Sequence, residues 1–178
     1  QLLLKVEELK KKSFKMNDYT YVAALMMSDE SDKWDFEISR AMELMSAMKV
    51  HHRFLTNSDD YPFAIFLGKL EGDITTRAAT MNKYYEELKN HKFYAGNELQ
   101  WLSQVLTYTN PGYDKETVPR VVVIRDGFKS VKIKFSISQY PLIGFMAALK
   151  LNENQLMDIV ETYRALTIPG VRSILKST

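Results

Sequence analysis

The feature that most constrains this chain is a recurrence of about 40 residues. Phe14, Phe54, Phe93 and Phe135 each close an apolar segment and are followed by a small polar loop. Tyr21, Tyr61, Gln100 and Tyr140 hold one place after that loop, spaced 40, 39 and 40. A bulky apolar residue followed by lysine precedes each loop, as Leu9-Lys10, Met48-Lys49, Leu88-Lys89 and Phe128-Lys129. Three columns that keep one period, each unit with two helical segments, predict tandem α-hairpins. The expected fold is all-α, with hairpin repeats of about 40 residues stacked as a short α-solenoid.

The clearest copy is 51–70, HHRFLTNSDDYPFAIFLGKL. Asn57, Ser58, Asp59 and Asp60 offer capping oxygens and negative charge at a helix start. Pro62 is tolerated in a first turn, where backbone N–H groups lack intrahelical partners. Phe54 and Leu67 are expected in the core between hairpins. Trp34, Ile38, Ala41, Met42, Met45 and Met48 line one side of a long helix at helical spacing and are expected as core. In the segment VPRVVVIRDGFKSVKIKFSI, local and repeat patterns disagree. β-Branched residues, the turn pair Asp126-Gly127 and alternating apolar positions describe a β-hairpin. The recurrence aligns Val121 with Met81 and Ala41, so helix is expected for 114–130 and an extended loop for 131–137. A last helical pair is expected at 138–149 and 152–166, stopped by Pro169-Gly170, with a short helix in the tail.

The 178 residues are expected to form a single helical-repeat domain. The chain opens inside a second helix of the register, as the C-terminal part of a longer protein would. Lysine and arginine number 24 against 22 aspartate and glutamate, and this near balance argues against a nucleic-acid or polybasic membrane surface. The absence of cysteine excludes disulfides and thiolate chemistry, and a cytoplasmic location is the simplest expectation. No apolar run is long enough to span a bilayer.

The stretches MKVHHRFLTNSDDYPFAIFL, YEELKNHKFYAGNELQWLSQVL and YTYVAALMM resemble a bacterial family of uncharacterised proteins, the domain of unknown function 4003. The resemblance runs from about Tyr19 to Leu166. It implies a soluble helical protein, with members longer than this chain, and brings no activity and no catalytic residues.

Chemistry-bearing motifs are sparse. His51 and His91 are equivalent in the register, and with His52, Asp59 and Asp60 they supply residue types that bind metals. No ligand spacing such as HExxH accompanies them, so no metal and no cofactor is expected. Neither GxSxG, GxxxxGK nor GxGxxG occurs, and no catalytic residue is assigned. The expected function is a protein-interaction or scaffold module. Its partner would be a protein or peptide, contacted along the row Tyr21, Tyr61, Gln100 and Tyr140. The alternative is a small-molecule-binding protein or enzyme with a pocket between helices.

Overall fold

The computed structural model describes residues 1–108, 110–133 and 135–166; the expected stop at Pro169-Gly170 and the tail lie outside them. The described residues form nine α-helices and no strand, and the structure is 71% helical. The helices are α1 (Leu2–Lys11), α2 (Asp18–Met26), α3 (Trp34–His51), α4 (Tyr61–Gly68) and α5 (Ile74–Asn90). They continue with α6 (Asn97–Leu106), α7 (Thr117–Ser130), α8 (Tyr140–Ala148) and α9 (Glu153–Leu166). Short 3-10 turns at Ser31–Lys33, Ser58–Asp60 and Ile137–Gln139 lead into α3, α4 and α8.

The segment with conflicting patterns is helical. Val118, Val121, Ile124 and Phe128 are buried, a spacing that fits one helix face and not one strand face. Pro119 falls in the first turn of α7, where its missing N–H costs nothing. The helix starts at Thr117, three residues later than expected, because Asp114 accepts hydrogen bonds from the Glu116 N–H and the Thr117 hydroxyl.

Each of α1, α3, α5 and α7 folds back through a loop onto the shorter helix that follows it. So α8 pairs with α7 and not, as expected, with the helix over 152–166, and α1 is the first helix of a hairpin where a second was expected. Between hairpins the packing alternates. Broad contact joins α2 to α4, α3 to α5, and α6 to α8, whereas α1–α3, α4–α6 and α5–α7 touch lightly. Two helical glycines permit close approach between helices. A Cβ on Gly68 would lie 3.0 Å from the Ala41 backbone nitrogen, and one on Gly144 would lie 2.7 Å from Leu102 Cδ1.

The short helices have 8 to 10 residues, too few to persist alone in water. Their last carbonyls need donors. In every hairpin a basic side chain of the first helix supplies one. Lys5 donates to Met27 O at 3.0 Å, and Arg120 to Ala147 O at 3.4 Å. Arg40 donates to Gly68 O, Leu70 O and Gly72 O at 2.7, 3.1 and 2.8 Å. Arg77, fully buried, donates to Thr107 O and, at 2.8 Å, to Glu71 O.

The loop residues correct two expectations. Ser13, Lys92 and Lys132 are left-handed, at φ 67°, 66° and 63°. Each turns the chain so that the next residue, Phe14, Phe93 or Ile133, is buried. The N–H groups of those three bond to the carbonyls of Leu9, Leu88 and Phe128, the pattern of a left-handed helix stop. Ile133 therefore holds the place assigned to Phe135, whose ring instead packs half-buried on Phe128 at 4.8 Å. Helix α3 lacks this stop. It runs on to His51, and Leu55 and Thr56 donate to His52 O. Phe54 consequently points outward and is 95% exposed, not buried as expected, while Leu67 is fully buried. Phe14→Ala or Phe93→Ala should cost about 3–5 kcal/mol in denaturant unfolding. Phe54→Ala should stay within about 0.5 kcal/mol of the parent.

Candidate functional site

Helices α4 (YPFAIFLG) and α8 (YPLIGFMAA) contain no charged residue, and α2 has only Asp18. A helix apolar on all sides expects cover on all sides. On α2 and α8 the fold covers one side only, and on α4 Tyr61, Pro62, Phe63 and Phe66 are half-buried. On α2, Tyr21, Val22, Leu25 and Met26 remain exposed, and on α8 Leu142 and Phe145 do, with Leu149 exposed just past its end. Val22, Met26, Pro62, Phe63, Phe66 and Phe145 line an open groove of about 330 Å³ that crosses α2, α4 and α8. Two of its lining residues have further partners: Tyr108 stacks on Phe66 at 5.2 Å, and Lys69 Nζ donates to Met26 O at 2.5 Å.

Where α4 and α6 part, the seam is polar. Asp60 ends the capping turn before α4 and accepts the Asn57 N–H at 3.0 Å. Its other oxygen accepts from Gln100 Nε2 at 2.9 Å and Gln104 Nε2 at 2.7 Å. All three side chains are buried. Burial pushes the Asp60 carboxyl above its ordinary value; the hydrogen bonds from Gln100, Asn57 and Gln104 pull it down. Near this seam a space of about 10 Å³, enough for one water, lies among Met48, His52, Ala78, Met81, Tyr85, Gln100 and Ser103. Nε2 of His52 and Oε1 of Gln100 are buried there without a protein partner.

The row read from sequence is divided by the fold. Tyr21 is exposed beside the groove. Tyr61 is half-buried, with its ring 4.5 Å from Phe14 and its hydroxyl accepting the Lys15 N–H at 3.2 Å. Tyr140 repeats this with Phe93 at 5.0 Å and the Tyr94 N–H at 3.2 Å. Gln100 takes the fourth place and turns inward to Asp60. The histidines separate too. His91 stops α5 and its carbonyl accepts from Arg125 Nη1 at 2.6 Å. The His52 ring lies 4.4 Å from that of Tyr85, and burial lowers its pKa. Among the described residues no three His, Cys, Asp or Glu side chains converge as metal ligands.

The groove is not visible in the sequence, because the apolar run of α4 does not show which of its sides the fold leaves uncovered. The available signal was the missing charge on α4 and α8. The Asp60 seam had no linear signal, since its partners lie 40 and 44 residues away.

Fold and surface define an all-α protein with an apolar groove laid across its short helices. The chain belongs to a protein family of unknown function, DUF4003, whose model matches residues 1–176. No curated protein and no solved structure matches it. Among the described residues no helix is long and apolar enough to cross a membrane.

The Asp60 seam gives a signed pH dependence. The folded-state pKa lies above the ordinary 3.8, so ionised Asp60 works against folding. Its contribution is fully present below the unfolded value and is lost as pH rises through the folded one. Unfolding measured from about pH 3 to pH 8 should show Asp60→Asn gaining on the parent as pH rises. A gap independent of pH would contradict the assignment.

Proposed function

We propose that residues 1–178 form one helical-repeat module, a short α-solenoid, that holds an amphipathic helix of a partner protein in the groove across α2, α4 and α8. The observation that carries this reading is the uncharged character of α4 and α8 combined with their half-exposure. Contiguous apolar surface of this kind marks interaction sites, and apolar grooves receive the apolar face of a helix.

Charge defines the occupant further. Beyond the C-terminal ends of α2 and α4 lie exposed Asp29, Glu30, Asp32, Glu71 and Asp73, of which Asp29 and Glu30 pair with Lys5 and Lys33. Before their N-terminal ends lie exposed Lys15 and Arg53. A fitting helix carries an apolar stripe with basic residues on the flank facing the acidic rim and acidic residues on the other. Tyr21 stands where it can contact such a helix; Tyr61 and Tyr140 support the rim by packing. No enclosed space of ligand size accompanies the buried polar seam, which favours a protein partner over a small molecule there.

The test is a fluorescence titration with a synthetic amphipathic helix of this charge pattern. Saturable binding is expected, weakened about tenfold or more by Phe145→Asp and by exchanging the two charged flanks. Equal binding by the parent and by a folded Phe145→Asp variant would remove the groove from the interaction.

A further inference from the structure

The balanced net charge conceals a segregated edge. Residues 13–16, 48–56, 88–95 and 127–133 lie in the last turn of a first helix or in the early part of the connection that follows it; Asp59 and Asp60 come later in the second connection. These four segments contain no Asp or Glu and seven Lys or Arg: Lys15, Lys49, Arg53, Lys89, Lys92, Lys129 and Lys132. All seven are exposed.

Direct contacts tie these segments into one edge. Tyr61 joins the first loop to the second through Phe14 and Lys15. Tyr85 joins the second to the third, its ring against His52 and its hydroxyl accepting the Gly96 N–H at 3.2 Å. Arg125 and Tyr140 join the third to the fourth through His91 O and the Tyr94 N–H. Lys92, Tyr94, Arg125, Lys129 and Phe135 line an open groove of about 370 Å³ between them. Asp126 also lines this groove and is held by Arg125 at 2.9 Å, and Glu86 is held by Lys89 at 2.6 Å.

Apolar side chains project from the same edge without packing partners to bury them. Phe54 is 95% exposed, Val50 81%, Tyr94 69% and Met16 44%. Lysines interleaved with projecting aromatic and aliphatic groups match a lipid headgroup layer, where cations meet anionic headgroups and apolar tips enter the acyl boundary. Nucleic acid would use aromatic rings for stacking but gains little from Val50 and Met16. We propose that this loop edge is a peripheral attachment surface for an anionic lipid bilayer. It is a different surface from the groove and does not depend on the groove's occupant.

The experiment is co-sedimentation of the full chain with phosphatidylcholine vesicles, with and without about 30% phosphatidylglycerol. Binding to the anionic vesicles only, weakened by added salt, is expected. Lys49→Gln, Lys92→Gln and Lys129→Gln should each weaken partitioning about fivefold. Phe54→Ser and Tyr94→Ser, whose exposed sites leave folding intact, should weaken it as well. In a second measurement, Phe54→Trp fluorescence should shift to the blue on anionic vesicles. Three results would overturn the proposal: no sedimentation with anionic vesicles at low salt, sedimentation unaffected by Phe54→Ser and Tyr94→Ser, or binding to a single-stranded oligonucleotide without binding to vesicles.

Discussion

The structure depends on how four short helices end. Helices of 8 to 10 residues leave a large share of their carbonyls outside the intrahelical ladder. Each hairpin meets this with a cation sent from the facing helix: Lys5, Arg40, Arg77 or Arg120. The bond does two jobs. It satisfies a carbonyl that would otherwise be buried at a cost, and it sets positive charge against the negative end of a helix dipole. Arg77 shows the strength of the requirement, since its guanidinium is buried and burial lowers its pKa. Apolar packing holds the hairpin faces together, but these cations fix where each short helix stops.

The parts of this arrangement legible in sequence are those with a fixed step. The apolar-lysine pairs locate the ends of α1, α3, α5 and α7, and the alignment of Val121 with Met81 correctly outweighs local β propensity. Propensity failed there because burying one helix face outweighs the modest helix penalty of β-branched residues. The cations were not legible, because they precede their carbonyls by 22 to 30 residues with no constant offset. Phe54 was misplaced for a backbone reason. Whether a chain adopts the left-handed turn at Ser13, Lys92 and Lys132 but not at Arg53 is not visible in residue type, since none of the four is glycine.

The site shows the same division. That Tyr61 and Tyr140 occupy equivalent places was readable, but their hydroxyls serve backbone N–H groups of the preceding loop. Gln100 holds the same place between them and answers a different neighbour, the buried carboxylate of Asp60. A column in an alignment therefore marks a position in the fold without fixing its chemistry. The exposed apolar faces of α2 and α8 arise where packing was expected and is absent, and only the three-dimensional arrangement can reveal that.

The alternation of contacts has a consequence for how such a chain can grow. The Phe14–Tyr61 contact recurs as Phe93–Tyr140, two hairpins later, while the junction between them is made by Asp60 and Gln100. Broad packing passes from the short helices to the long ones and back. Among the described residues the junctions thus alternate with a step of two hairpins, although the sequence period is one. Duplicating a single hairpin would set mismatched faces against each other, a carboxylate seam meeting an aromatic one. Duplicating a pair, about 80 residues, would restore every junction. Viable lengths in this architecture should therefore come in even steps.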